Sequence, residues 1–135
     1  MKEIEKNALK MANFLLNHEL ISDVFHPALP HTKNHLIWKR DFSGASGLFS
    51  FILKENYQRA ALAAMLDGLE LYGMGASWGG FESLIIPASP KDYRTATNWD
   101  ERGQVLRVHA GLEDIDDLID DLGAGLDRLT DISSV

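Results

Sequence analysis

The stretch Leu48-Phe49-Ser50-Phe51-Ile52-Leu53 places five large apolar side chains in six positions. That is too apolar for an edge strand with one wet face, and it predicts a strand lying centrally in a sheet. Just before it, Phe42-Ser43-Gly44-Ala45-Ser46-Gly47 supplies two glycines where the backbone must turn, which reads as a loop. Further towards the N-terminus, Asn34 to Phe42 predicts a short helix and Ile21 to His26 a short strand. Pro27 and Pro30 force an extended path between them through Leu29 and His31.

On the other side, alanine-rich Gln58 to Leu66 predicts a helix that turns Leu62, Met65 and Leu66 inward and ends at Asp67-Gly68. Leu69 to Tyr72, Phe81 to Ile86 and Val105 to His109 predict three more short strands, with Ala88 to Gly103 a polar, irregular connection. Two amphipathic helices frame the chain. Lys2 to Asn17 repeats Ile4, Ala8, Met11, Ala12, Leu15 and Leu16 at helical steps; Leu112 to Leu129 repeats Leu112, Ile115, Leu118, Ile119, Leu122 and Leu126. Acidic residues from Glu113 to Asp117 sit where the helix dipole favours them. Short strands adjacent in sequence favour an α+β fold, a small antiparallel sheet with helices packed on one face.

At 135 residues with 45% hydrophobic content, the chain can bury one core. A net charge of −7 without any Lys/Arg cluster argues against nucleic-acid binding. The absence of cysteine removes disulfides, thiolate nucleophiles and Cys-based metal sites. No apolar run approaches the roughly 20 residues that cross a bilayer, and charged Met1 to Lys10 lacks a signal-peptide core, so a cytoplasmic protein without membrane contact is expected. The first helix starts with no Ser, Thr, Asp or Asn ahead of it, as a helix cut from a longer parent would.

Among candidate site residues, Arg107 lies within Val105-Leu106-Arg107-Val108-His109, where alternation puts Val105, Arg107 and His109 on one face. A guanidinium on an apolar strand needs a partner, either a structural Asp or Glu or the carboxylate or phosphate of a ligand. Ser77-Trp78-Gly79-Gly80 lets a ligand or another segment approach the backbone closely, or simply forms a tight turn. His26, His31 and His35 straddle the prolines without a dependable ligand spacing, and Asp116-Asp117 and Asp120-Asp121 recur at helical steps as a solvated face. Neither set is expected to bind metal, and no Ser-His-Asp set or phosphate loop is present.

Four stretches resemble, in order and spacing, the C-terminal domain of the Cys/Met-metabolism family of pyridoxal-phosphate enzymes. They are His26-Pro27-Ala28-Leu29-Pro30, Trp38-Lys39-Arg40-Asp41-Phe42 through Ser50, Ala76 to Leu84, and Leu106 to Asp114. Within the family, Trp-Lys-Arg-Asp-Phe and Ser-Trp-Gly-Gly are most similar to bacterial cystathionine β-lyases. The resemblance implies that Arg107 binds the substrate α-carboxylate, helped by Ser77 and the backbone of Trp78. It also implies carbon–sulfur cleavage of cystathionine to homocysteine, pyruvate and ammonia, with pyridoxal phosphate as electron sink.

The family's reactive lysine and its cofactor-binding residues belong to a larger N-terminal domain with no counterpart in these 135 residues. Lysines stand at positions 2, 6, 10, 33, 39, 54 and 91, none in the family's Ser-x-Thr-Lys setting. The chain alone is therefore expected to hold no cofactor and no catalytic residue and to be inactive. Its expected partners are the amino-acid substrate through the parent enzyme, the missing N-terminal domain and, through an exposed docking face, other copies of itself. A stand-alone binding or interaction domain that retains the fold, including a simple amino-acid-binding module, is the alternative.

Overall fold

In the computed structural model, which describes residues 1–77, 79–99 and 102–133, the Leu48–Leu53 run forms strand β2. The other strands are β1 (Ile21–Phe25), β3 (Leu84–Ala88) and β4 (Val105–His109), and the sheet order is β1-β2-β4-β3 with every pairing antiparallel. Four helices complete the fold: α1 (Lys2–Leu16), α2 (His35–Asp41), α3 (Arg59–Asp67) and α4 (Ile115–Ser133). The expected α+β layout is present, and β2 is an interior strand, as its composition required.

Alternation sorts the sheet into two faces. Phe49, Phe51 and Leu53 from β2 join Val24, Ile85, Leu106 and Val108 on the face covered by helices. Against them α1 lays Ala8, Met11, Ala12 and Leu15, α3 Ala61, Met65 and Leu66, and α4 Leu118, Leu122, Leu126 and Leu129. Each leucine buried here contributes about 1.5–3 kcal/mol relative to exposure. The opposite face carries Phe25, Ser50, Ile86, Arg107 and His109.

Three expectations need correction. Leu69 to Tyr72 is not a strand. The amides of Glu70 and Leu71 donate to the Asp121 carboxylate of α4 at 2.9–3.2 Å, and the Tyr72 hydroxyl donates to the Leu118 carbonyl at 2.9 Å, so this segment is tied to a helix. Only Gly73 touches the sheet, as a single bridge to Leu84. The strand expected at Phe81 to Ile86 runs instead from Leu84 to Ala88, because Ser83 is engaged by Glu113: its N–H and hydroxyl donate to the carboxylate at 2.9 and 2.7 Å. α4 begins at Ile115, not Leu112, because Asp114 Oδ1 accepts the amides of Asp116 and Asp117 and so caps the helix.

Leu112 is consequently exposed, and on α1 Leu16 is exposed while Asn7 is buried. The Asn7 side chain donates to the Gly111 carbonyl at 3.1 Å, pinning α1 to the turn between β4 and α4. β1 carries a bulge between Ile21 and Asp23, and β3, the opposite edge, contains Pro87. No helix among the described residues is long and apolar enough to cross a membrane.

Candidate functional site

On the face opposite the helices, the strands and the connection from β3 to β4 enclose a cleft of ≈ 780 Å³. Its walls include Asp23, Phe25, Ser50, Trp99, Arg102 and Arg107. Register places Ser50 beside Arg107 and Phe25 beside Ser50, so three strands supply a row running Arg107–Ser50–Phe25. Arg107 has Ile86 on its other side.

The Arg107 guanidinium donates from Nη2 to the Ser77 carbonyl at 3.2 Å, and no carboxylate among the described residues lies within ion-pair distance of it. Arg107 and Ser77 are thus brought together, though through the backbone of Ser77. The Ser77 hydroxyl accepts the Gly79 amide at 3.2 Å. A structural salt bridge, one of the two partners open to Arg107, is not what the described residues provide. One carbonyl satisfies little of a five-donor fork, which leaves Arg107 able to take an anion in two parallel hydrogen bonds. Trp78 lies outside the described residues.

The glycines after Ser77 make room for a neighbouring segment. Gly79 has φ +89°, and a Cβ there would fall 2.1 Å from the His109 ring. A Cβ on Gly47 would approach the same ring within 2.7 Å. His109 is buried between them and donates from Nε2 to the Gly80 carbonyl at 3.0 Å. Two residues of β4, Arg107 and His109, therefore hold the Ser77–Gly80 loop at its two ends. The sequence alone does not mark His109 as a site residue. Its place two positions from Arg107 on the same face is the signal that points to it.

The three histidines around Pro27 and Pro30 perform separate tasks. His26 Nδ1 accepts the Ala28 amide, His31 pairs with Asp23 at 3.0 Å, and His35 Nδ1 donates to the Pro27 carbonyl. Of the acidic residues on α4, Asp116 pairs with Lys10 and Asp121 receives the Glu70 and Leu71 amides. Sequence reasoning also passed over Ser50, Phe25 and Arg102, which meet only through strand register and the fold of the β3–β4 connection.

Comparison with known proteins places this geometry in a family. The family model "Cys/Met metabolism PLP-dependent enzyme" matches residues 1–127. The chain belongs to that family. It is 48% identical over 132 residues to a cystathionine beta-lyase of Salmonella typhimurium, and 43% identical over 130 residues to an L-alanine/L-glutamate racemase of Wolbachia pipientis. These alignments take in 96% of this chain but 33% and 32% of the relatives. In structure, the chain is similar to a cystathionine gamma synthase of Xanthomonas oryzae solved with cystathionine, with a TM-score of 0.78 and 31% identity over 96% of this chain and 34% of that one. The chain thus spans about a third of the length of the family members it matches. The shared fold is the antiparallel sheet with its helical layer, the α+β architecture expected for a domain of a fold-type-I enzyme of this family.

Proposed function

We propose that this chain is the carboxylate-binding, C-terminal third of a cystathionine β-lyase-like carbon–sulfur lyase. In this reading a larger N-terminal domain carries the cofactor and the reacting groups, and Arg107 anchors the α-carboxylate of the amino-acid substrate. The observation carrying it is the Arg107 guanidinium itself: set on an interior strand, facing a cleft, steered by a carbonyl and unpaired with any described carboxylate. Ser77, in the loop that Arg107 grips, and the backbone of Trp78 are the further substrate contacts we assign.

Pyridoxal phosphate, where this family binds it, supplies an electron sink for a substrate carbanion. The residues present do not fit that group by themselves. All seven lysines are exposed, and only Lys33 borders the Arg107 cleft. What this chain contributes is binding and orientation. A bidentate grip on the α-carboxylate fixes one end of the substrate and thereby the direction in which its other bonds point.

A chimera tests the reading directly. This chain replaces the matching third of the Salmonella cystathionine beta-lyase, and thiol release from cystathionine is followed. The chimera is expected to be active, and Arg107→Ala to lower kcat/KM about 10- to 100-fold, the worth of one charge-assisted, paired contact. A folded, cofactor-loaded chimera whose activity ignores Arg107→Ala would overturn the assignment.

A further inference from the structure

The same cleft holds a second guanidinium. Arg102 lies over two aromatic rings, 5.6 Å from the Phe25 centroid and 5.0 Å from that of Trp99, and its amide donates to the Trp99 carbonyl at 3.2 Å. Among the described residues it has no ion-pair partner. Stacking on rings occupies the faces of a guanidinium and leaves its N–H edge open, the edge that recognises a carboxylate. Asp23, the carboxylate among the described residues of the cleft wall, takes donors on one oxygen: Oδ1 accepts His31 at 3.0 Å and the Val24 amide at 2.8 Å.

Strand register fixes the span. Phe25, Ser50 and Arg107 sit side by side on β1, β2 and β4, so Phe25 and Arg107 lie two strand spacings apart, about 10 Å. Ser50 between them is small and its hydroxyl has no hydrogen-bond partner among the described residues. The cleft floor thus has a guanidinium at one end, a second above the ring at the other end, and a short polar step between.

We propose that Arg102, on its Phe25–Trp99 platform, is a second anion site in the Arg107 cleft, selecting amino acids that carry a further carboxylate at the end remote from the α-carbon. The inference rests on the reading of Arg107 as the α-carboxylate anchor. Arg107 sets the ligand's position, and Arg102 reads its length and far-end charge.

The test uses the chain as it stands and two thioether probes, cystathionine with two carboxylates and methionine with one. Nuclear magnetic resonance titrations are run on the wild type and on Arg102→Gln, Arg102→Lys and Arg107→Gln. Affinities in the millimolar range are readable this way. Wild type is expected to prefer cystathionine about fivefold, as suits one partly exposed charge pair. Arg102→Gln should remove that preference while leaving methionine affinity unchanged, Arg102→Lys should restore part of it, and added salt should weaken it. Arg107→Gln should weaken both probes.

No wild-type preference, whether both probes bind alike or neither binds, overturns the second site, as does a preference that survives Arg102→Gln. If Arg107→Gln abolishes binding and Arg102→Gln changes nothing, the α-carboxylate anchor stands and the second site falls. If Arg102→Gln removes the preference while Arg107→Gln leaves methionine binding intact, the second site stands and the Arg107 anchor falls.

Discussion

His26 is a polar ring buried from solvent. Nδ1 accepts the Ala28 amide at 3.1 Å, so the ring's proton resides on Nε2, which is buried without a partner, and the ring meets Phe49 edge-on at 5.5 Å. Burial pushes its pKa below the ordinary 6.5, with the Glu5 carboxylate pulling weakly the other way. The folded state therefore resists a proton that the unfolded chain accepts near pH 6.5. Stability from this site is full above that pH and declines as the pH falls towards the lowered folded-state value. Urea midpoints should be lower at about pH 5.5 than at about pH 7.5, and His26→Asn, which keeps an acceptor for the Ala28 amide, should flatten the difference. An unchanged pH dependence in His26→Asn would assign the effect to other groups.

At the scale of elements, side chains distant in sequence finish the helices. Arg128 on α4 donates from Nε to the Ala64 carbonyl at 3.0 Å and from Nη2 to the Met65 carbonyl at 2.8 Å, capping the C-terminus of α3 with a cation. Arg128→Ala should cost about 1–2 kcal/mol in chemical denaturation, and Asp114→Ala about 1 kcal/mol through the lost α4 cap. A loss no larger than that of a surface control substitution would rule out either cap. These contacts also mark what the sequence conceals. The run Leu48–Leu53 and the leucine stripe of α4 announce themselves because burial is written into local periodicity. Leu69 to Tyr72 has strand composition, but Asp121, some 50 residues on, takes its amides first. The site divides the same way. Arg107 and the Ser77 loop were legible as a charge within an apolar strand and a glycine run, and the family motifs gave them a role. Phe25, Ser50 and Arg102 become neighbours only after strands from three parts of the chain take their register.

For the whole molecule, the decisive number is the share of its relatives that the chain spans, about a third. Apolar surface agrees with the proposed larger partner domain. α2 buries no residue, and Leu36, Ile37 and Phe42 are 78%, 52% and 64% exposed. A surface of this kind, left uncovered, drives self-association. Light scattering should show mass rising with concentration, and Ile37→Glu with Phe42→Ser should suppress the rise; a monomer at every concentration would contradict it.

The two outer strands shape how any such association could proceed. Pro87 gives β3 a position with no N–H to offer, Gly73 already occupies part of that edge, and the bulge at Ile21/Asp23 breaks the regular ladder of β1. Neither rim offers an uninterrupted template for another chain's backbone, so sticking through α2 stays a side-chain affair that reverses on dilution, and growth into amyloid-like fibres has no ready seed in the folded state.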